Sequence, residues 1–383
     1  MSSVIDFIRE RFTRTKPLPA GAHTYNSPVD EPAYRLHLRT MTDGSGILIV
    51  NAATVLHLNP SASEFAYHMI KGSIPEDVAK QVASRYNINK STALQDFVEF
   101  RDRIQTLVHT PDLDPTTYLD FDRVTPHSQA LTAPLRLDCA LTYRLPAGAD
   151  TTDAPTKRVD HELTTDEWNS ILDKAWQAGI PHITLTGGEP TLRPDLPEII
   201  AHAEKNGQVC GLSSDGLKLA DKDYLNTLLQ TGLDHLLFIL EPGNTASWKA
   251  LETIISADLF TTVHLTVRAG DISLVGQYIE KLSHIGVTSL SLSTSDSTLK
   301  ASLDTFRNLA SKLGLNMRWD LPVPYSSENP VAFETSEDSL PSGAGKTWLY
   351  VEPDGDVLPS QGFAEQVLGN FLKNTFEEIY HIN

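Results

Sequence analysis

The residues whose types and spacing could do chemistry lie in His182-Ile-Thr-Leu-Thr-Gly-Gly-Glu-Pro-Thr-Leu192. A β-rich apolar run, Ile183 to Thr186, ends in Gly187-Gly188 and is followed by Glu189 and Pro190. The pattern predicts a buried strand opening into a turn, with a helix beginning near Asp195. Paired glycines let the backbone approach a ligand closely. They leave N–H groups for a carboxylate and carbonyls for an amine, and Glu189 adds a negative charge. An ordinary strand-to-helix turn uses the same residues, so Gly-Gly alone decides nothing. Thiol chemistry has only Cys139 and Cys210 to draw on. Two cysteines exclude a disulfide framework and point to a reducing compartment.

Composition narrows the classes further. A chain of 383 residues, 40% hydrophobic and 21% charged, predicts two or three domains with ample surface to bury. Its 49 acidic residues against 31 basic ones give a net charge of −18. Such a surface repels a phosphate backbone, which argues against nucleic acid as a partner. No run of about 18 apolar residues occurs, so no membrane span is expected. The first residues, Met1-Ser-Ser-Val-Ile-Asp-Phe-Ile-Arg-Glu-Arg11, lack the long apolar core of a secretory signal and pattern as a short amphipathic helix. The expectation is a cytoplasmic protein.

The elements that position the turn begin well before it. Residues 1–33 are rich in Pro and Gly and are expected to be an extension. From Tyr34 the pattern predicts three short strands, with Leu36 and Leu38, Ile47–Val50 and Thr54–Leu58, and a turn at Thr42–Gly46. Three helices follow, at about 60–70, 75–86 and 91–107, the second with Pro75 at its first position and Glu76-Asp77 favourable to the dipole. Residues 34–110 would then be one compact domain and 111–134 a linker. Beyond it, strands are expected at 135–142, 182–186, 208–213, 235–240, 262–267 and 289–292. Helices alternate with them at 166–178, 196–206, 222–231, 245–257, 273–285 and 299–313, which is the signature of a parallel α/β sheet. Ligands gather at the C-terminal ends of such strands. Ser213-Ser-Asp-Gly216, Glu241 and Arg268 sit there beside Gly187–Pro190; Arg268 and Glu241 fit an ion pair or a solvated surface equally well.

Gly-Gly-Glu-Pro-Thr-Leu after an Ile-Thr-Leu-Thr strand resembles the S-adenosylmethionine (SAM) turn of the radical SAM superfamily. The resemblance implies a partial (β/α)6 barrel over residues 135–320. In that family the Glu holds the methionine amino group, and three cysteines after the first strand carry an iron–sulfur cluster. Aligned on Leu141-Thr142, those ligand positions are occupied here by Leu145, Ala149 and Thr152. An alignment forced onto Cys139 offers Tyr143 and Pro146. Cluster iron needs thiolates, so neither register holds a cluster, and Cys210 on the third strand reads as a core residue. The tail, Trp348-Leu-Tyr-Val-Glu-Pro-Asp-Gly-Asp-Val-Leu-Pro-Ser360, predicts a hairpin turning at Asp354-Gly355. It resembles the start of a SPASM or Twitch extension over 321–383, with Ser360 where the family has a ligand Cys.

Residues 34–110, with Val-Leu-His-Leu-Asn-Pro-Ser-Ala before the first helix, resemble the winged-helix PqqD-like fold, or RiPP recognition element. The resemblance implies a sheet edge that takes a precursor's leader peptide as an added strand. Candidate peptide contacts are Thr54, Val55, Leu56, His57 and Leu58, with Leu94, Phe97 and Val98 of the covering helix. The expectation is a cluster-less radical SAM-like scaffold for a ribosomal precursor peptide, beside an intact radical SAM enzyme. It has no catalytic residue and no metal, and its SAM site, Gly187, Gly188, Glu189, Pro190, Ser213, Glu241 and Arg268, is vestigial. Rival readings are a partner that docks without binding peptide, a radical enzyme borrowing cluster ligands from a second chain, and a SAM-binding enzyme of non-radical chemistry. For the last, Asp150, Asp153, Asp160 and His161 are the polar residues of the loop.

Overall fold

The computed structural model describes residues 18–28, 34–50, 54–109, 131–148, 158–257, 259–294, 296–318 and 340–380. The chain divides into two compact units, residues 1–132 with 177–179 and residues 133–176 with 180–383.

In the first unit four antiparallel strands form a sheet in the order β1 (Gly21–Asn26), β2 (Arg35–Thr40), β3 (Gly46–Val50) and β4 (Thr54–Leu58). The turn, the three expected strands and the three helices are in place. The difference is β1, which lies inside the expected extension and pairs with β2 along its whole length, Tyr25 opposite Leu36 and His23 opposite Leu38. Its pattern is six residues long and flanked by Pro and Gly, too short to stand out in the sequence. Helix α1 (Pro60–Ile70) starts at Asn59, whose side chain caps Ala62 N. Helix α2 (Pro75–Tyr86) ends on Asn87 in the left-handed region. The long α3 (Lys90–His109) sends Ile104 and Leu107 into a core with Leu36, Leu38, Leu48, Leu56 and Leu58. Its Ala93 and Phe97 pack instead with Phe65, Val78 and Val82.

The second unit is the expected α/β architecture. All six parallel strands are present: β5 (Arg136–Thr142), β6 (His182–Gly187), β7 (Val209–Ser214), β8 (His235–Ile239), β9 (Phe260–Thr266) and β10 (Ser289–Ser293). Helices α4 (Thr165–Gln177), α5 (Leu196–Asn206), α6 (Lys222–Gln230), α7 (Thr245–Ile255), α8 (Ile272–His284) and α9 (Lys300–Lys312) alternate with them. A two-residue β11 (Asn316–Met317) extends one side. On the other side, β12 (Trp348–Val351) pairs parallel with β5, and β13 (Asp356–Leu358) and β14 (Gly369–Asn370) follow antiparallel. The C-terminal hairpin therefore continues the main sheet instead of standing beside it. Pairing to β5 is a long-range choice that no local pattern announces. Near the chain end, α10 (Phe376–Ile379) carries a capping box formed by Thr375 and Glu378.

Strand alternation gives this sheet two unlike faces. One face is apolar, with Leu137, Cys139, Ile183, Leu185, Val263, Leu265, Leu290 and Leu292 buried. The other is polar although it too is buried. Arg136 and Asp138 pair there at 2.8 Å, and His182 and His235 meet Nε2 to Nε2 at 2.5 Å. Gly211 lies between these two imidazoles, and a Cβ on it would stand 1.9 Å from His235 Cε1. His264 is bonded through Nδ1 to Ser291 Oγ (3.0 Å) and through Nε2 to Ser293 Oγ (2.9 Å). Thr262-Val-His-Leu-Thr266 and Ser289-Leu-Ser-Leu-Ser293 carry this period-two signal openly. A sheet buried on both faces by apolar contacts would not show it.

Burial holds His264 down at about 3, and burial together with the Arg136 and Arg318 charges holds His235 at about 4. Both values lie below the ordinary 6.5, so the unfolded chain binds protons first as pH falls. Stability from these groups is full above about pH 6.5 and is lost as pH drops through that value toward 4. Thermal melts from pH 7.5 to 5 should show a falling Tm, with a shallower slope in His264→Gln. An equal slope in the variant would contradict the assignment.

Candidate functional site at the C-terminal ends of the strands

The turn after β6 is built by close backbone contact. Gly187, at φ +125, sits so near β5 that a Cβ would lie 2.1 Å from Thr142 O; at Gly188 a Cβ would lie 2.2 Å from Arg144 O. Gly188 N donates to Thr142 O (2.7 Å) and Glu189 N to Arg144 O (2.9 Å). The two glycines are thus required by the chain's own β5 end, before any ligand is considered. Pro190 opens a single 3-10 turn, Pro190–Leu192, before α5.

The Glu189 side chain is 3% exposed and turns inward. Its Oε1 accepts from Thr191 N (2.9 Å), Thr191 Oγ1 (2.6 Å) and Ser214 Oγ (2.9 Å), and its Oε2 accepts from Asp215 N (2.9 Å). Three of these donors crowd Oε1, while Oε2 meets one and keeps acceptor capacity for a further donor. The carboxylate ties the β6 turn to the end of β7 and leaves the amine-holding role that the resemblance assigns to Glu189 open at Oε2. The serine that reaches it is Ser214, whereas Ser213, the expected candidate, is fully buried one position earlier. Alternation decides this: adjacent residues of a strand face opposite ways.

Asp215 lies in the tetrapeptide at this strand end but is not among the expected site residues. It is half-buried beside Glu189, and its Oδ1 accepts from Leu217 N at 2.9 Å. Burial first, then the charge of Glu189 and that of Glu241, push its carboxyl up to about 7. The signal was the tetrapeptide Ser213-Ser-Asp-Gly216 at a strand end, but its meaning depends on Glu189 lying alongside. Glu241, the third carboxylate of the group, accepts from Asn244 Nδ2 (3.0 Å) in the turn before α7. Lys218 Nζ donates to Thr191 O at 2.8 Å and lies over the Tyr224 ring. Arg268 is half-buried after β9, and its carbonyl accepts from Asp271 N.

The loop after β5 is held by polar contacts. Thr142 Oγ1 bonds Glu162 and also accepts from Arg144 N and Nε, and Arg144 Nη2 pairs with Glu162 at 3.1 Å. Leu145 is half-buried just beyond. Ala149 and Thr152, with Asp150 and Asp153, lie outside the described residues, while Asp160 and His161 are exposed. Cys139 and Cys210 are both buried thiols on strands, and burial pushes the Cys139 thiol up. Ser360 is buried and accepts from Trp348 Nε1 at 3.3 Å, an ordinary packing contact.

In the first unit the candidate peptide residues separate. Leu56, Leu58 and Phe97 are at most 3% exposed and belong to the core, so they support the strand and helix from within and have no surface for a peptide. The side chains of Thr54 and Val55 lie outside the described ones, and His57 is half-buried. Leu94 and Val98 are half-buried and, with Ser91, Gln95, Glu99 and Asp102, line an open cavity of about 540 Å³ along α3. The helical period explains the split: Phe97 points one way, and Leu94 and Val98 flank it.

Residues 139–256 match the family model of the Radical SAM superfamily. A PqqA peptide cyclase of Streptomyces rochei is 25% identical over 282 residues, covering 66% of this chain and 77% of that protein. A PqqA peptide cyclase of Granulibacter bethesdensis is 34% identical over 105 residues, 27% of this chain and 28% of that protein. Streptococcus suis SuiB, in its crystal structure bound to precursor peptide SuiA, superposes with a TM-score of 0.58 at 12% identity. The match covers 88% of this chain and 85% of that one, and shows the shared fold. Residues 139–256 thus match a radical SAM domain, and the chain is similar to a peptide cyclase over 66% of its length.

Asp215 supplies a test of the carboxylate group. Its folded value near 7 exceeds the ordinary 3.8, so the folded state is the better proton binder between them and loses stability as pH rises from about 4 to 7. Asp215→Asn removes this cost. The variant should gain Tm at pH 8 and gain little at pH 4.5; equal gains at both would contradict the electrostatic origin.

Proposed function

We propose that this chain is a cluster-less, radical SAM-like protein that binds a ribosomally made precursor peptide and acts as a scaffold or accessory subunit beside an intact radical SAM enzyme. The observation that carries the peptide reading is β4: among the described residues it is the last strand of its sheet, with an outer row of main-chain groups. The α3 cavity floored by Leu94 and Val98 belongs to the same unit. An extended peptide would add to β4 by main-chain hydrogen bonds, with apolar side chains entering the cavity. The names of the relatives, a peptide cyclase and a protein crystallised with a precursor peptide, favour the same reading. The cluster-less part rests on chemistry: Leu145, Ala149, Thr152 and Ser360 stand at the four ligand positions, and none has a thiol.

SAM itself would bind weakly or not at all, because no thiolate stands at Leu145, Ala149 or Thr152 to hold the metal that would anchor its methionine end. A second reading, a SAM-dependent enzyme of non-radical chemistry, is favoured by one feature, the carboxyl of Asp215 near 7, which suits a general acid or base. Calorimetric titration separates the two. A low-micromolar Kd for SAM, about −8 kcal/mol, abolished in Asp215→Asn, would support the enzyme.

The peptide reading is tested by fluorescence anisotropy, using a labelled synthetic leader from a precursor gene neighbouring this one. Wild type should bind saturably, Leu94→Asp should weaken binding about tenfold or more, and Val55→Pro should abolish it by removing a ladder donor. Circular dichroism checks that each variant is folded. Binding that survives both substitutions in folded protein rules out this groove. If the intact protein binds no leader, docking without peptide becomes the account.

A further inference from the structure

Segment 143–163 is the place where the resembled family folds its chain around metal. In this chain both ends of the segment converge on one carboxylate of another strand. At the start, Tyr143 Oη donates to Glu352 Oε1 at 2.9 Å. Near the end, Arg158 forms a two-pronged pair with the same group, Nε to Oε1 at 2.5 Å and Nη2 to Oε2 at 2.7 Å. Arg158 Nη2 also reaches Ala364 O at 3.1 Å, and Leu163 N donates to Pro353 O at 2.7 Å. Glu352 stands just past β12 and is 2% exposed. Around it Ala140, Tyr143, Tyr350 and Leu358 form a small apolar cluster on which Val159 packs.

We propose that Glu352 is the staple of this segment: one buried carboxylate fastens residues 143 and 158, performing the loop-holding task that metal ligation would otherwise perform. Three features separate it from an ordinary surface pair. The carboxylate is dry, so its charge must be met by donors inside the fold. The donors come from both ends of one segment and none from the strand that carries Glu352. The forked Arg geometry fixes direction as well as distance. The staple also explains why β12 belongs to the main sheet: parallel pairing with β5 sets Val351 opposite Cys139 and brings Glu352 to the Tyr143 end of that strand. The assignment rests on contacts, and the iron content of the protein tests a different claim, so either can fail without the other.

The test is amide hydrogen exchange on the full-length chain, comparing wild type with Glu352→Gln, Arg158→Lys, Tyr143→Phe and, as a control in the same hairpin, Ser360→Ala. Glutamine keeps the shape and an acceptor for Tyr143 but removes the charge and one guanidinium acceptor. Exchange at 143–148 and 158–163 should rise about tenfold or more in Glu352→Gln, while β6 to β10 exchange as in wild type. Arg158→Lys, which keeps the charge and loses the fork, should raise exchange at 158–163 alone; Tyr143→Phe should do so at 143–148 alone. Ser360→Ala should change neither. If Glu352→Gln loosens the whole unit, the Arg158 and Tyr143 variants decide. Wild-type exchange at their own ends of the segment overturns the proposal, as does wild-type exchange in a folded Glu352→Gln protein.

Discussion

Glu189 shows what orders the mouth of this sheet: a buried carboxylate has to be met by hydrogen-bond donors, and here all of them come from the chain. Thr191 supplies two, Ser214 and the Asp215 amide one each. Those bonds hold the Gly-Gly turn against β5 on one side and join it to β7 on the other. They also place Asp215 beside the Glu189 charge, which, after burial, pushes its carboxyl up to about 7. Glu352 obeys the same rule on the other side of β5, where Tyr143 and Arg158 meet its charge. Two buried carboxylates thus fasten the loops where the radical SAM family works with metal and methionine.

The fold was legible because local and global signals agree. Ile183–Thr186, Val209–Ser214 and Thr262–Thr266 carry strand patterns, α5 opens with a proline at its first turn, and α6 begins on the Asp221 cap. What escaped was non-local. Strand β1 is too short a pattern to announce itself, and β12 gives no local hint that it will pair with β5. Phe97 looked like a partner of Leu94 and Val98 until the helix was seen to turn it into the core. At the site, Gly187–Pro190 could be read directly. Ser214 and Asp215 could not be ranked above Ser213 without knowing which face of β7 meets Glu189. The expectation of no cluster rests on the sequence alone, on Leu145, Ala149 and Thr152 at the aligned ligand positions.

A division of labour between the units follows from these constraints. The first unit presents a strand edge and an apolar-floored cavity, features suited to an extended chain. The second has a sheet built on six parallel strands, β5 to β10, with one polar face, and hydrogen bonds accepted by Glu189 join its β6 turn to the end of β7. Relatives at 25% and 34% identity are named as peptide cyclases. The proposed scaffold role would draw on the shape of this sheet, with Leu, Ala and Thr at the positions aligned with cluster ligands.

The central claim, that the chain works without an iron–sulfur cluster, is met most directly by metal analysis. The purified protein is reconstituted anaerobically with iron and sulfide, desalted, and assayed for both together with its visible spectrum. Iron and sulfide per chain close to zero, with no absorbance near 400 nm beyond the protein's own, is the result expected of a site whose ligand positions hold Leu, Ala, Thr and Ser. About four irons and four sulfides per chain, with the matching absorbance, would contradict it.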